Sequence, residues 1–379
     1  MLGAAPGERL RVLRELFGFT QARLAKACGV RQSWISEVER GDEEPTEDKL
    51  RVIADATGTP MTFFYVTPSS VPLDSLRFRK LAATKKSTTT RVHAFYSESF
   101  RVTEDLLTSE RYPMPALPYA TGEQITQSQI EQHATDTREA LRLAPDRPIP
   151  HLTRALERAG VAVAPIVLTD SDGGEQHAPG HFGVSYWSGL GGAALVGYFP
   201  GQGDRERFTL AHELAHCVLH TFRPRTPAAA AEDEANRFAA ALLIPYARAV
   251  QDLSDRLSLS DFARLKATWG ASIQCLVMRG YAIGALSETR KHSLFVQLSA
   301  RGWRKNEPVL VGNESPRLLW TLLSRRFGPK PYITAAEPLA IPPAVLRSIA
   351  PSQSRSPATH KGGPDFGEVI PFRQRPDLR

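Results

Sequence analysis

Between Arg207 and His220 the sequence reads Arg-Phe-Thr-Leu-Ala-His-Glu-Leu-Ala-His-Cys-Val-Leu-His, and the pentad His212-Glu213-x-x-His216 inside it has a definite chemistry. Residues four apart lie one above the other on a helix, so His212 and His216 can aim two imidazoles at one metal ion with Glu213 beside them. A zinc ion with three protein ligands keeps one position open and lowers the pKa of a water there to about 7. Glu213 is then the catalytic general base, and the chemistry is metal-assisted hydrolysis.

A third ligand is needed, and the downstream run Glu232-Asp233-Glu234-Ala235-Asn236-Arg237-Phe238 offers it on an Ala-rich helix that Pro245 stops. Glu232 and Asn236 share one face, so Glu232 can complete the metal set while Asn236 holds a ligand histidine in place. Glu234 is the rival ligand, although it shares a face with Phe238 and Ala241. His220 is another, with the plainer role of answering the helix dipole. Asp204 is the expected N-cap of the first helix with Glu206 in its first turn, and Phe208, Ala211, Leu214, Ala215 and Val218 at helical spacing predict a helix buried on most sides.

The two blocks Arg-Phe-Thr-Leu-Ala-His-Glu-Leu-Ala-His (207–216) and Glu-x-x-Ala-Asn-x-Phe-Ala-Ala-x-Leu-Leu-x-Pro (232–245), at this separation, resemble the ImmA/IrrE family of zinc metallopeptidases. The resemblance implies an α+β zincin-like metallopeptidase domain that cleaves a partner transcriptional repressor. It also implies His212, His216 and Glu232 as the zinc ligands. No signal identifies the donor that stabilises the tetrahedral oxyanion; Tyr246 and His181 are the candidates, and His177 shares the Gly-rich stretch that leads to His181.

The elements around these blocks follow from local rules. Residues 8–65 read as five short helices: an amphipathic run through Leu10, Leu13 and Leu16, a helix capped by Thr20, a turn at Gly29, the helix Gln32 to Arg40 ended by Gly41, a helix capped by Thr46, and a last turn from Pro60. A helix, a glycine turn and a second short helix make a helix-turn-helix unit, whose second helix enters the major groove. The string Thr20-Gln21-x-x-Leu24-Ala25-x-x-x-Gly29-Val30-x-Gln32-Ser33-x-Ile35-Ser36-x-x-Glu39-Arg40-Gly41 resembles the Cro/cI-type (XRE) domain. Gln32, Ser33, Trp34 and Glu37 are the expected base-facing positions, and Gln21, Arg31 and Arg40 those placed for phosphates.

From residue 66 to 148 the chain reads as a helical linker. It contains a basic run (Arg77, Arg79, Lys80, Lys85, Lys86, Arg91) that could touch the phosphate backbone, with a solvated turn over Lys85 to Thr90 and helices over 91–107 and 127–143. A metallopeptidase domain over 149–290 then assembles from a helix ending at Gly160, strands at 161–168, 183–187 and 193–199, and the metal helices. Two further helices flank Trp269-Gly270, again helix-turn-helix in outline but without base-reading side chains. Residues 291–349 are expected to be ordered, with Trp303 and Trp320 as anchors, and 350–379, rich in Pro, Ser and Arg, to be disordered.

With 379 residues and 42% hydrophobic content the chain has room for two or three domains. Its net charge of +7 is unevenly spread. Residues 1–65 hold nine Lys/Arg against ten Asp/Glu, whereas residues 285–379 hold fifteen against seven. The acidic run Asp42-Glu43-Glu44 after the recognition helix predicts weak nonspecific DNA affinity. Three scattered cysteines, Cys28, Cys217 and Cys275, do not describe a disulfide framework and read as reduced core residues, Cys217 having the alternative of a redox switch. Absence of a leader-like start and of any long apolar run points to a cytoplasmic protein that does not span a membrane.

The resulting expectation is a multidomain chain: an all-α helix-turn-helix bundle, an α+β zincin-like domain and a helical C-terminal extension. Its partners are a double-stranded DNA operator, bound as a homodimer, and a protein substrate, a repressor. The competing class is a non-enzymatic transcription factor whose metallopeptidase-like domain senses a metal or ligand, and a third reading is self-cleavage near Pro113 to Pro118.

Overall fold

The computed structural model describes residues 6–69, 71–72, 77–80, 86–169, 175–176 and 181–352. Helices α1 (Pro6–Leu16), α2 (Gln21–Cys28), α3 (Gln32–Arg40) and α4 (Glu47–Thr57) and a 3-10 turn at Met61–Phe64 open the chain. There follow β1 (Arg77–Lys80), α5 (Lys86–Ser109), α6 (Gln127–Ala140), α7 (Leu152–Arg158), β2 (Val161–Pro165), β3 (Leu168–Thr169), β4 (Glu175–Gln176), β5 (His181–Trp187) and β6 (Ala194–Tyr198). The rest is helical: α8 (Gly203–His220), α9 (Ala228–Leu243), α10 (Tyr246–Asp252), α11 (Leu259–Trp269), α12 (Ile273–Ala282), α13 (Glu288–Ala300), α14 (Leu318–Phe327), α15 (Pro331–Thr334), α16 (Ala336–Leu339) and α17 (Pro343–Ile349). The fold is multidomain, with an N-terminal helical bundle, a helix-rich region carrying a small sheet, and a helical C-terminus. Among the described residues, those of Met1–Ala116, Leu156–Pro200 and Pro316–Ser356 form one compact unit, and those of Leu117–Ala155 and Gly201–Ser315 form a second.

In the first unit the bundle forms as its caps dictate. The Thr20 and Thr46 hydroxyls accept the Arg23 and Lys49 backbone N–H groups, and Gly29 and Gly41 close α2 and α3 at φ 65 and 79, where a β-carbon would be strained. Leu10, Leu13, Leu24, Trp34, Ile35, Val38, Leu50 and Ile53 fill the bundle, and their core continues without a break through α5 and β2 into α14 and α17. One polar clasp lies within it: Arg9 donates to both Glu98 oxygens at 2.6 and 3.0 Å and to the Phe63 carbonyl at 3.0 Å, with both side chains buried. Arg101, also paired with Glu98, reaches the Leu339 and Ala340 carbonyls.

Helix α5 starts earlier than the sequence suggests. Lys86 to Thr90, expected as a turn, is its first part, and Arg91 is buried, with Nε donating to the Leu16 carbonyl at 3.2 Å, so Arg91 cannot serve a phosphate. The four-stranded sheet has the order β1-β5-β6-β2, antiparallel except for the parallel β6–β2 pair, with Val163 opposite Val196. Strands β2 and β6 are buried along their whole length, which is why both read as continuous apolar runs rather than alternating ones. Tyr96 of α5 donates its hydroxyl to the Leu195 carbonyl at 2.6 Å.

The second unit is built around α8, nearly every residue of which is buried, with α9 packed along it and α6 and α12 packed on α9. Asp204 is not the cap of α8, a position that Gln202 takes without a side-chain bond. Asp204 is drawn instead into a buried cluster with Lys266 of α11 (2.9 Å), which also binds Glu307 (2.7 Å). Arg207 pairs with Glu314 and donates to the Ile149 carbonyl, and Arg279 pairs with Glu131 and donates to the Ile244 carbonyl. These buried ion pairs fix the ends of α8 and α9 against the segments around them. Cys28, Cys217 and Cys275 are buried and none of them is in a disulfide. Among the described residues no helix is long and apolar enough to cross a membrane.

Candidate functional site

Helix α8, buried along nearly its whole length, carries His212 and His216 one turn apart. Their Nε2 atoms lie 3.1 Å from each other. Glu232, in the second turn of α9, brings Oε2 to 3.4 Å from His212 Nε2 and Oε1 to 3.4 Å from His216 Nε2. Zinc ligands at about 2.1 Å in a tetrahedron lie about 3.4 Å apart, so the three donors are spaced as such an ion requires. The donor types, two imidazoles and a carboxylate, are also the right ones. Burial pushes the Glu232 carboxyl up, but the two facing imidazoles outweigh it and hold it well below the usual carboxylate range. The histidine side chains are almost fully buried while that of Glu232 is 39% exposed, so the site is reached from the Glu232 side.

The ring orientations have identifiable causes. Asn236, one turn beyond Glu232, places Oδ1 at 3.1 Å from His212 Nδ1. An amide oxygen only accepts, so Nδ1 carries a proton, and a metal ion at the site would take the lone pair of Nε2. Glu213, next to His212 on the same helix, is fully buried. Glu234, the rival to Glu232, is turned away: Arg223 binds it through Nη1 at 2.7 Å and Nη2 at 3.3 Å, and His220 Nε2 lies 3.1 Å from its Oε2. His220 is therefore not merely a helix-end charge, since its Nδ1 also lies 2.9 Å from His216 Nδ1.

In the first unit, α2 and α3 meet through the Gly29 turn, and α3 presents Gln32 and Ser33 to solvent at its N-terminus with Arg31 just before them. Gln32 donates to Gln21 Oε1 at 3.0 Å, Gln21 donates to Glu39 at 2.9 Å, and Glu39 is gripped by Arg14 at 2.5 and 2.9 Å. The two amides of the exposed face are thus held in fixed rotamers by a chain that ends on α1.

Residues 203–280 match the peptidase family described as the IrrE N-terminal-like domain, and residues 7–62 match the family described as a helix-turn-helix domain. The N-terminal region is similar to YazB, an uncharacterized HTH-type transcriptional regulator of Bacillus subtilis (strain 168), with 38% identity over 61 residues that cover 14% of this chain and 88% of the relative. The chain belongs to the helix-turn-helix transcriptional regulators and carries an IrrE-like peptidase domain. The peptidase match falls within the second unit and contains His212, His216 and Glu232.

One expected DNA-reading residue of this regulator is misplaced by the sequence reading. Trp34 is buried, donating its indole N–H to Glu43 at 2.8 Å with Lys49 over the ring, so it belongs to the bundle core and cannot touch a base. Its size and apolarity fit that place, on the buried face of α3 with Ile35 and Val38. Arg40 is exposed and engaged with Asp42 and Ser36, at 2.7 Å each. The run Asp42-Glu43-Glu44 is in this way partly neutralised by Arg40 and Lys49. Tyr246 opens α10 and is exposed, His181 opens β5, and His177 lies outside the described residues. Sequence reasoning missed Arg223; its sole signal was an arginine close beyond the metal helix, upstream of a spare acid.

Proposed function

We propose that this regulator binds an operator through its first unit and that its IrrE-like domain is a zinc-dependent endopeptidase acting on a partner repressor. The observation that carries the reading is the spacing of the His212, His216 and Glu232 donor atoms, 3.1 to 3.4 Å apart on two packed helices. When bound, zinc supplies a Lewis acid that polarises a peptide carbonyl and lowers the pKa of water to about 7. Glu213 takes the proton of the attacking water onto its carboxylate and passes it to the leaving amide nitrogen. His212 and His216 hold their lone pairs on the metal position, and Asn236 keeps the His212 ring from turning. The exposed side of Glu232 is where an extended substrate segment enters.

On the DNA, Gln32, Ser33 and Glu37 face base edges while Gln21, Arg31 and Arg40 serve the backbone, and a homodimer matches a two-fold operator in the cytoplasm. The Glu213→Gln variant tests the reading. Zinc content and operator binding are expected to match the unaltered protein, while cleavage of a repressor co-expressed with it stops. A variant that still cleaves, or that regulates normally in cells, removes the peptidase from the function and leaves a metal-sensing regulator.

A further inference from the structure

Beyond the three donor residues, a line of buried side chains runs away from the site, and it is ordered by proton bookkeeping. A neutral imidazole that gives one nitrogen to a metal carries its proton on the other. With a metal on Nε2, which faces His212 and Glu232, His216 would carry its proton on Nδ1, 2.9 Å from His220 Nδ1. That nitrogen of His220 must then accept, which puts the His220 proton on Nε2, 3.1 Å from Glu234 Oε2. The carboxylate of Glu234 is in turn fixed by the two-pronged contact from Arg223. Arg223 is anchored by the Leu219, Gly122 and Glu123 carbonyls. His216, His220 and Arg223 are each buried, so water does not compete for these bonds.

Resting on the zinc reading above, we propose that His220 and Glu234 are positioning residues for the metal centre. In a single directed relay, His216 donates to His220, His220 donates to Glu234, and Arg223 locks the end. The relay fixes the His216 tautomer and ring plane, as Asn236 does for His212 from the other helix. It also explains why a second acid on α9 is not a ligand: Glu234 is committed to His220 and Arg223, which leaves Glu232 as the donor.

The test uses the full-length chain stripped of metal and then titrated with zinc against a chromophoric chelator. His220→Ala is expected to weaken zinc binding about 10- to 100-fold, and Glu234→Gln, which keeps an oxygen for the His220 N–H but loses the charge, about 10-fold. Both comparisons are made on protein whose metal-free melting temperature and circular dichroism show it folded. A merely structural role lowers that melting temperature while leaving zinc affinity of the folded protein unchanged, and this result overturns the relay. A second readout needs no variant: long-range nitrogen–proton NMR of the histidine rings in the zinc-loaded protein. His216 is expected protonated on Nδ1 and His220 on Nε2, and a His220 proton on Nδ1 overturns the proposal. Failure of the unaltered chain to bind zinc sinks the metal reading itself, whereas zinc binding that ignores both substitutions sinks the relay alone.

Discussion

Replacing Arg9 by Met removes one side chain from a buried polar cluster of the first unit. The guanidinium is fully buried, bonded to both Glu98 oxygens and to the Phe63 carbonyl, and stacked 4.0 Å from the centre of the Phe63 ring. Methionine fills most of the volume but leaves Glu98 with Arg101 as its remaining ion-pair partner among the described residues, and the Phe63 carbonyl without this donor. Breaking a buried ion pair by removing one partner costs about 3–5 kcal/mol, and Arg101 places this case near the lower figure. At about 1.4 kcal/mol per tenfold, a loss of about 3 kcal/mol speeds opening of α1 roughly 150-fold. Hydrogen exchange of peptides from residues 6–16, read by mass spectrometry on the full chain, measures that opening directly. Replacing Glu98 by Met in the same chain removes the stranded charge and is expected to restore part of the protection. Exchange within threefold of the unaltered protein would refute the argument that this ion pair ties the DNA-binding bundle to α5.

In the second unit, burial pushes the Glu314 carboxyl up, yet His151 and Arg207 hold it down to about 2 from its ordinary 4.5. A depressed carboxylate contributes stability in full above about pH 4.5 that is lost as pH falls toward 2, here about 3 kcal/mol at most, so Glu314→Gln should flatten the melting temperature of this unit across that window. Gly160→Ala must place a β-carbon 2.3 Å from the Pro113 carbonyl at φ 88, and a lowering of stability by about 2–5 kcal/mol is expected in urea denaturation; an unchanged midpoint contradicts the packing described. Gln21→Ala frees Gln32 and should cut discrimination between the operator and a mismatched site about tenfold, whereas Arg31→Ala should lower the salt dependence of binding by about one ion. Equal effects on both quantities in both variants would remove the division of labour along α3.

How much of this could be seen in the sequence differs by element. The clustering of His212, His216 and Glu232 was legible because helical periodicity puts His212 over His216 and Glu232 over Asn236, and the two-residue offset of Glu234 placed it on another face. Caps and glycine turns of the bundle were legible for the same local reason, as Thr20 and Gly29 show. What escaped was everything that depends on distant pairing. Asp204 looked like a cap because nothing local reveals Lys266, 62 residues away. His220 looked like a charge at a helix end because its partners, Glu234 and Arg223, lie across a turn. Arg91 looked available to a phosphate because nothing local reveals its acceptor, the Leu16 carbonyl 75 residues upstream. Trp34 was the opposite error, an inward-facing aromatic taken with its exposed neighbours Gln32 and Ser33.

Zinc content decides the central claim most directly. The full-length protein, metal-stripped, reloaded and dialysed, is expected to retain about one zinc per chain by elemental analysis, and Glu232→Ala to retain far less under the same dialysis. Unaltered protein that comes through reloading without zinc, or a Glu232→Ala variant that holds zinc equally well, contradicts the account.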